Sequence, residues 1–459
     1  MATEGLHVDL LVLGGGMAGM AAAATAAEAG VVVGVVEKGR QIGGSAALSA
    51  GILWTARDYA ELRQRMPEAD ADLGRALVDE YPEAVDWIRA SGVEVTAQFD
   101  GAYFGFGRGS QIDVVGFFEH CRRRVEQAGG WIVRETAGRA LLQTQDGHVR
   151  GAQTVGVDGV VDVTAEAVLL ATGGFQGDPE LVAALVGRNA DRMLVRSNPG
   201  SVGDGFRMAG AVGAGASRSL SGFYGHLMPY PLEGFSEKHF LPLTQYHSVY
   251  MILVNRHGKR FIDESRGDEY SNQALLDQPD GRAILLADER MRREHVVTAP
   301  YPHGEVVDRF TAADRAGANF ASAGSIDELC AKVGAWGIPP ANLQRTLDAY
   351  GRAARGEPVV LDAPLPRRGA PLLEAPFHAL EVQPAITFTL GGIRIDTNGR
   401  VLDRDGQIVP GLFAAGADGG GTYHQGYAGG LALALCFGRR SARAFSQQSM
   451  SGGHDQLEH

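Results

Sequence analysis

The chain has 459 residues, of which 45% are hydrophobic and 21% are charged, so it can bury a large core, and its length favours two or three domains. This composition excludes a disordered or fibrous chain. The net charge of -12 provides no positive field for nucleic acid or an anionic membrane surface, so we expect neither as a partner.

Cysteine usage and the chain ends indicate the compartment. Cys121, Cys330 and Cys436 are scattered, without a CxxC pair or a histidine at metal-ligand spacing, so we expect no disulfide framework, no metal site and a cytoplasmic location. No apolar run approaches the roughly 20 residues of a membrane helix, and we expect no membrane segment and no signal peptide. Residues 447–459 are polar and predict a flexible tail whose end resembles the start of a histidine tag.

The first predicted elements form a nucleotide-binding motif. A buried strand over residues 8–13 runs into Gly14, Gly16 and Gly19 in GxGxxG spacing, followed by a small-residue helix and a second strand ending on Glu37. Gly14 permits the tight turn, Gly16 lets the backbone approach a pyrophosphate at the helix N-terminus, and Gly19 allows the helix to contact the strand. Glu37 is placed to bind ribose hydroxyls, so the order of elements predicts a dinucleotide site.

The following segments favour a flavin dinucleotide. Residues 43–51 are a second stretch of small residues that suits a pyrophosphate and a flat ring. Residues 140–165 alternate short strand-like runs with Asp-Gly turns, which predicts a β-meander, and the chain returns through residues 168–171 into Thr172, Gly173 and Gly174. This layout is typical of flavoprotein disulfide reductases and their relatives.

Further motifs extend the likeness over nearly the whole chain. They are VNRHGKRF at residues 254–261, TLGG at 389–392, GLFAAG at 411–416 and YAGG at 427–430. With them the sequence resembles the FAD-dependent succinate dehydrogenase and fumarate reductase flavoprotein family, closest in its active-site motif to the 3-ketosteroid dehydrogenases. The resemblance implies non-covalent FAD, because residues 45–52 lack the histidine that carries the flavin in some relatives.

The resemblance also implies the architecture. We expect an α/β chain with a Rossmann-type FAD-binding domain of the glutathione-reductase-like class and an inserted α+β capping domain. The FAD-binding domain is predicted over residues 1–220 and 384–446, and the capping domain over 221–383. A helical pattern at 343–354 and a proline-rich connector at 358–376 interrupt the strand rhythm and support the insertion. In relatives of this kind the active site lies where the two domains meet.

The predicted cofactor contacts come from the glycine turns, the strand ends and the first turn of the last helix, which begins near Gly430 and directs N–H groups at the flavin. These residues are Gly14, Gly16, Met17, Ala18, Gly19, Glu37, Lys38, Gly43, Gly44, Ser45, Ala47, Ser49, Ala50, Gly51, Ala137, Ala171, Thr172, Gly173, Gly174, Asp204, Gly416, Ala417, Asp418, Gly430, Leu431, Ala432 and Leu433. The alternative for the last helix is packing without a ligand. Gly203, Asp204 and Gly205 are interpreted as a loop near the FAD ribityl chain, not as a second nucleotide site.

The sequence departs from the dicarboxylate-binding members of the family at three positions. Phe388 replaces a histidine, Tyr427 an arginine, and Asp268 the proton-donating arginine. Phenylalanine offers no donor, and an aspartate would repel a carboxylate. The YAGG setting of Tyr427 instead resembles the tyrosine motif of 3-ketosteroid dehydrogenases.

The catalytic candidates follow from this pattern. Tyr427 is the first candidate for proton transfer or for polarising a carbonyl, and Tyr250, Tyr246 and His226 follow. For each of them, packing with a satisfied hydroxyl or ring nitrogen is the alternative. If the substrate is a carboxylate, Arg266 or Arg260 is the candidate acid.

The predicted reaction is oxidation or reduction of a CH–CH bond next to a carbonyl, by ketone desaturation or enone reduction, with hydride exchange at flavin N5. The expected partners are a small ketone or enone and a separate electron donor or acceptor. A fumarate-reductase-like reduction of an unsaturated carboxylate is the second hypothesis. A flavin-binding redox partner without turnover is the third.

Overall fold

The computed structural model describes residues 6–100, 105–232, 234–301, 304–367 and 369–455. The chain divides into two compact units. The first consists of Met1–Leu181, Ser197–Gly222 and Phe388–His459, and the second of Val182–Arg196 and Phe223–Thr387.

The first unit contains a twisted sheet whose central strands are parallel. The strands lie in the order Arg400–Leu402, Ile408–Ala414, Gly159–Leu170, Leu6–Leu13, Val33–Val36 and Trp131–Val133. Leu6–Leu13 is parallel to both of its neighbours, as expected for a doubly wound nucleotide-binding sheet. Parallel strands therefore end together at one edge of the sheet.

The remaining elements of the first unit include the predicted meander. Ala137–Gln143, Val149–Gly156 and Gly159–Leu170 form consecutive antiparallel pairs, because their Asp-Gly turns reverse the chain. The helices are Met17–Glu28, Tyr59–Arg65, Ala71–Ala90, Val114–Gln127, Pro179–Leu185, Asp204–Ala211 and Gly430–Asp455. The other strands are Ile52–Thr55, Phe99–Asp100, Arg108–Gln111, Phe388–Thr389, Ile393–Arg394 and Gly419–Gly420.

The second unit is built on a separate mixed sheet. Leu194–Val195, Phe377–Ile386, Ala283–Ala287 and Ile252–Asn255 lie in this order, and Leu227–Pro229 and Phe320–Ala323 also pair with Phe377–Ile386. The helices are Glu237–Phe240, Asp268–Ala274, Glu289–Met291, Arg309–Arg315, Ile326–Gly334 and Pro340–Ala354. Val297–Thr298 and Val307–Asp308 form a short antiparallel pair.

Both faces of this second sheet are buried. Along Ile252–Asn255 and Ala283–Ala287, alternate residues belong to two different hydrophobic clusters: Leu253 and Leu285 pack on one side, and Ile252 and Ile284 on the other. Successive side chains of a strand point to opposite faces of the sheet. Because all residues of these two strands are apolar, both faces of the sheet must be packed against other elements.

The structure differs from the expected organisation in two segments. Val182–Arg196 lies in the second unit, because Leu194 pairs with Ala385 and the Asn189 side chain donates to the Leu276 carbonyl at 2.7 Å. The last helix continues to Asp455, so the segment from Gln447 to Asp455 is helical, and its flexibility stays a prediction. Residues 447–451 contain neither glycine nor proline and therefore do not end a helix.

The three cysteines are buried and unbridged. Within the described ranges no group of three or more His, Cys, Asp or Glu side chains could hold a metal ion. No helix in the described part of the chain is long and apolar enough to cross a bilayer.

Candidate functional site

The glycine-rich turn after the first strand is held by close backbone contacts. Gly14 has a φ of +110°, and a Cβ atom there would lie 2.2 Å from the Ala171 carbonyl oxygen. A Cβ atom on Gly19 would lie 1.9 Å from the Gly14 carbonyl oxygen. At Gly16 the nearest atom to an added Cβ is the Gly43 oxygen at 4.0 Å. The turn thus leaves open space at the N-terminus of Met17–Glu28, where backbone N–H groups suit a pyrophosphate.

The acid at the end of the second strand is fixed beside this turn. Glu37 is buried, and its carboxylate accepts the Gly15 N–H at 2.7 Å and the Gly39 N–H at 2.6 Å. A carboxylate in this position suits the ribose hydroxyls of a dinucleotide.

The neighbouring lysine ties the turn to another segment. The Lys38 ammonium contacts the Asp204 carboxylate at 2.6 Å and the Gly200 carbonyl oxygen at 2.6 Å. Asp204 is the first residue of the helix Asp204–Ala211, so its interpretation as part of a loop is wrong. Gly203, at a φ of +84°, caps this helix.

The small-residue stretch predicted to meet the cofactor lies against the first turn. Gly43 donates its N–H to the Gly15 carbonyl at 2.8 Å, and Gly44–Leu48 then forms one short helical turn. The Ser45 hydroxyl accepts the Asn198 N–H at 3.1 Å. The Ser49 hydroxyl donates to the Ala46 carbonyl at 2.7 Å, so it stabilises its own turn.

Asp418 joins two strand ends of the first unit. Its buried carboxylate accepts the Thr172 hydroxyl at 2.9 Å, the Gly174 N–H at 3.1 Å and the Thr172 N–H. The Thr172 hydroxyl also accepts the Gly205 N–H at 3.0 Å. Burial raises the pKa of Asp418. Its side chain thus positions the loop that begins at Thr172, and the contact of Asp418 with the cofactor stays a prediction.

The remaining predicted cofactor residues occupy the same kinds of position. They lie in the first turn of a helix, at strand ends or in the loops that follow them: Met17, Ala18, Ala47, Ala50, Gly51, Ala137, Ala171, Gly173, Gly416, Ala417, Gly430, Leu431, Ala432 and Leu433. Together with the open backbone at Gly16 and the fixed acid at Glu37, this cradle fits FAD.

Tyr427 lies in an aromatic cluster of the first unit. Its ring centroid is 5.5 Å from Trp54, 5.8 Å from Phe388 and 5.9 Å from Tyr423. Its hydroxyl oxygen accepts the N–H of Gly430, the first residue of the last helix, at 2.8 Å. The first catalytic candidate is therefore held at a helix N-terminus.

Two contacts fix the loop that carries Tyr427. Gly429 has a φ of +94°, and a Cβ atom there would lie 1.6 Å from the Trp54 carbonyl oxygen, so only glycine fits. The buried Tyr423 hydroxyl donates to the carbonyl oxygens of Ala428 at 2.6 Å and Gly429 at 2.9 Å. Tyr423 therefore supports the loop through these two bonds, and burial holds the pKa of Tyr423 well above its usual value.

His226 lies in the second unit between two polar side chains. Its Nε2 atom is 2.6 Å from the Tyr224 hydroxyl, and its Nδ1 atom bonds to the Asp268 carboxylate. Burial, with Arg196 nearby, holds the pKa of His226 well below its usual value. Burial raises the pKa of Asp268 to about 7 and, together with Asp268, that of Glu269 to about 8. Asp268 is therefore a partner of His226 and not the free repelling charge that the sequence suggested.

Arg196 is a buried cation that sequence reasoning missed. Its guanidinium donates to Thr244 Oγ1 at 2.9 Å, Thr387 Oγ1 at 3.0 Å, the Phe240 carbonyl at 3.1 Å and the Tyr246 hydroxyl at 2.9 Å. Tyr246 thus accepts from Arg196, and its ring lies 4.8 Å from that of His226. Because Arg196 lies outside the recognisable motifs, no signal in the sequence pointed to it.

Two other candidates have separate surroundings. The Tyr250 ring stacks on His295 with 3.8 Å between centroids. The exposed Arg266 guanidinium lies 4.9 Å from the Tyr270 ring centroid. The structure does not bond either one to His226.

Arg260 is part of the internal structure of the second unit. Its buried guanidinium pairs with the buried Glu264 carboxylate, with Nε and Oε1 3.0 Å apart. It also donates to the Ala363, Ile262 and Pro364 carbonyls. These bonds use the guanidinium in the internal structure of the unit, and its role as an acid stays a prediction.

Comparisons with known proteins agree with this architecture. The model of the family described as "FAD binding domain" matches residues 9–431. Fumarate reductase (cytochrome) of Shewanella frigidimarina is 29% identical over 474 aligned residues, which cover 96% of this chain and 77% of the relative. A 4-oxocyclohexanecarboxylate 2-dehydrogenase of Sinomonas cyclohexanicum is 27% identical, and the aligned residues cover 92% of this chain and 89% of the relative.

A solved structure has the same fold. It is a 3-ketosteroid Δ1-dehydrogenase of Sterolibacterium denitrificans, with a TM-score of 0.76, 18% identity and coverage of 96% of this chain and all of that one. The comparisons confirm the predicted FAD cofactor, the α/β fold class and the resemblance on which both rest.

Proposed function

The chain belongs to the FAD binding domain family and is an FAD-dependent oxidoreductase, and we propose that it desaturates a ketone next to its carbonyl group or reduces the corresponding enone. The observation that carries this proposal is Tyr427, whose hydroxyl is fixed on the Gly430 N–H within an aromatic cluster. Bound FAD supplies hydride exchange with the carbon β to the carbonyl.

Tyr427 has the surroundings of a carbonyl-polarising group. When a ketone reacts at its α and β carbons, negative charge develops on the carbonyl oxygen, and a positioned donor stabilises it. The phenol oxygen of Tyr427 accepts an N–H at the N-terminus of a 26-residue helix. This bond and the helix dipole stabilise charge on that oxygen, which strengthens the phenol O–H as a donor.

The residues around Tyr427 suit an uncharged ring. The rings of Trp54, Phe388 and Tyr423 pack around Tyr427, and Phe388 occupies a position where dicarboxylate-binding members carry a histidine. An unpaired carboxylate in such surroundings costs several kcal/mol, whereas a ketone needs only one or two neutral donors. The Sinomonas relative, named for a ring ketone that also carries a carboxylate, supports the ring ketone but not the absence of charge.

Reduction of an unsaturated carboxylate is the second candidate. Arg196 supports it, because this buried cation hydrogen-bonds, among the described residues, to neutral oxygens. The Shewanella relative, named as a fumarate reductase, points the same way.

Anaerobic turnover with artificial electron donors and acceptors separates the two candidates. Cyclic ketones should bleach the flavin and their enones should reoxidise it, while fumarate and succinate should do neither. Efficient fumarate reduction without a response to any ketone would establish the second candidate instead.

The role of Tyr427 has its own test. Tyr427→Phe should retain FAD but slow substrate-dependent bleaching at least about tenfold, since general acid–base groups contribute 10²–10⁴-fold. Tyr59→Phe is the control, because Tyr59 lies on the helix Tyr59–Arg65 with Arg75 over its ring. Equal rates in the two variants would remove Tyr427 from the reaction.

A further inference from the structure

The second unit contains a small cavity whose walls come from three segments. Lys259 and Arg260 line it from the turn after the strand Ile252–Asn255, Arg345 lines it from the helix Pro340–Ala354, and residues 360–362 line it from the proline-rich connector. All of the lining residues belong to the second unit. The volume of the cavity is about 260 Å³. Pockets for drug-sized ligands measure roughly 300–1,000 Å³, so this cavity suits a smaller molecule.

Hydrogen bonds hold the three walls together. The Thr346 hydroxyl donates to the Gly258 carbonyl at 2.6 Å and joins the helix to the turn. The Arg260 guanidinium donates to the carbonyls of Ala363 at 3.0 Å and Pro364 at 2.9 Å, which joins the turn to the connector. The cavity is therefore formed by the fold itself, and a ligand does not have to order its walls on binding.

The charged groups of the cavity leave one positive charge in excess. The buried Glu264 carboxylate neutralises Arg260. Lys259 Nζ lies 3.6 Å from the Asp362 carboxylate, and the two side chains are 57% and 43% exposed, so this pair is open to solvent. Arg345 donates to a neutral amide oxygen and forms no ion pair with any residue that the structure describes. Although the chain has a net charge of -12, one guanidinium is thus available for an anion.

The rest of the lining is apolar. Ala349 lines the cavity from the helix, and Val360 and Leu361 line it from the connector. Val360 is 96% exposed, so almost all of its surface can still be removed from water by a ligand. Apolar surface next to a single unpaired cation suits a molecule with an anionic end and a short apolar body.

We propose that this cavity is a binding site for a small aliphatic carboxylate, which pairs with Arg345 and packs its apolar body against Val360 and Leu361. A guanidinium offers two parallel N–H groups that match the two oxygens of a carboxylate. The nearby Asp362 repels a phosphate dianion more strongly than a monoanion, and phosphate has no apolar body to cover the connector. Because the ligand contacts both the helix and the connector, its binding stabilises the folded chain.

Binding of isovalerate to the FAD-loaded chain tests the proposal, because this probe joins a carboxylate to a short branched body. With ¹³C-methyl valine labelling, the Val360 signal, assigned with Val360→Ala, should shift with a Kd of about 1 mM or tighter at low salt. Isovaleramide has nearly the same shape without the charge. It should bind at least about tenfold more weakly, because hydrogen bonds to charged groups are the stronger ones.

Three variants identify the groups that hold the probe. Arg345→Gln should weaken isovalerate binding about tenfold or more, because it removes the unpaired cation. Asp362→Asn should tighten binding, because it removes a repelling charge and leaves Lys259 without its carboxylate partner. Arg352→Gln is the matched control, since Arg352 is on the same helix but pairs with Glu357, and neither residue lines the cavity. Isovalerate should raise the melting temperature of the wild type and of Arg352→Gln, but not that of Arg345→Gln.

The results that would overturn the proposal are specific. A Val360 signal that isovalerate does not move, or equal affinities of the wild type and Arg345→Gln, would refute the site. Equal binding of isovalerate and isovaleramide would refute the role of the charge. If inorganic phosphate moves the Val360 signal and isovalerate does not, the assignment to a carboxylate is wrong. None of these measurements needs turnover, so they stand or fall independently of the proposed ketone reaction.

Discussion

Asp418 allows a quantitative test of how the cofactor cradle is held together. In Asp418→Ala, the N–H groups of Thr172 and Gly174 lose their buried acceptor, as does the Thr172 hydroxyl. Each buried donor left unsatisfied costs about 1–3 kcal/mol, so the two N–H groups alone should lower the free energy of unfolding by about 2–6 kcal/mol. Asp418→Asn retains one carbonyl oxygen as an acceptor and should lose about half of that.

The assay combines urea unfolding with flavin content. Because Asp418 fixes the loop after the strand Gly159–Leu170, FAD retention after gel filtration should fall in the order wild type, Asp418→Asn, Asp418→Ala. Asp162→Ala, which removes an exposed carboxylate from the same strand, should leave both measurements unchanged. Wild-type unfolding and full FAD content in Asp418→Ala would refute the reasoning.

The remaining variants test single contacts. Gly429→Ala places a Cβ atom 1.6 Å from a carbonyl oxygen at a φ of +94°, so it should lower the melting temperature. Gly210→Ala is the control, because its Cβ atom meets no atom within 4 Å and should leave the melting temperature unchanged. Equal melting temperatures in the two variants would contradict this reasoning. Glu37→Ala should weaken FAD retention, measured by the flavin absorbance ratio, and should also lower the free energy of unfolding of the apoprotein, because the Gly15 and Gly39 N–H groups lose their acceptor. Glu264→Gln should cost about 3–5 kcal/mol in urea unfolding, because it leaves the buried Arg260 cation unpaired; a loss under about 1 kcal/mol would contradict it.

The cofactor cradle could be predicted because its signals are local. The turn with Gly14, Gly16 and Gly19 needs no side chain to reach a distant partner, and the strand, turn and helix that contain it lie within 25 residues. The structure places each glycine where the expected turn and helix contact require it. The meander was equally accessible, since each Asp-Gly turn and its flanking strands are contiguous.

The hydrogen bonds between the polar groups of the second unit could not be predicted in this way. Arg196, His226 and Asp268 come from separate segments, and hydrogen bonds between distant residues leave no periodic pattern in a sequence. The resemblance to relatives shows that an aspartate replaces their arginine at position 268, but it does not show which groups surround Asp268. From the sequence, Asp268 is therefore interpreted as a charge that repels a carboxylate. Tyr224 was missed because its bond to His226 depends on a backbone approach at Gly225 that only the structure reveals.

The environment of Asp268 leads to a final prediction about pH. The folded chain holds the pKa of Asp268 near 7 and that of Glu269 near 8, both above their unfolded values, so the folded state retains protons that the unfolded state releases. Their contribution to stability is present at low pH and is lost as the pH rises through these values. Each pH unit in that window costs about 1.4 kcal/mol per group, so the free energy of unfolding should fall on the order of 2 kcal/mol from pH 6.5 to pH 8. The folded chain lowers the pKa of His226, so the contribution of His226 to stability is lost only when the pH falls below the unfolded pKa near 6.5. His226 therefore does not change the stability between pH 6.5 and pH 8. Asp268→Asn should flatten the urea-unfolding profile, and a wild-type profile that rises with pH would contradict the buried-acid account.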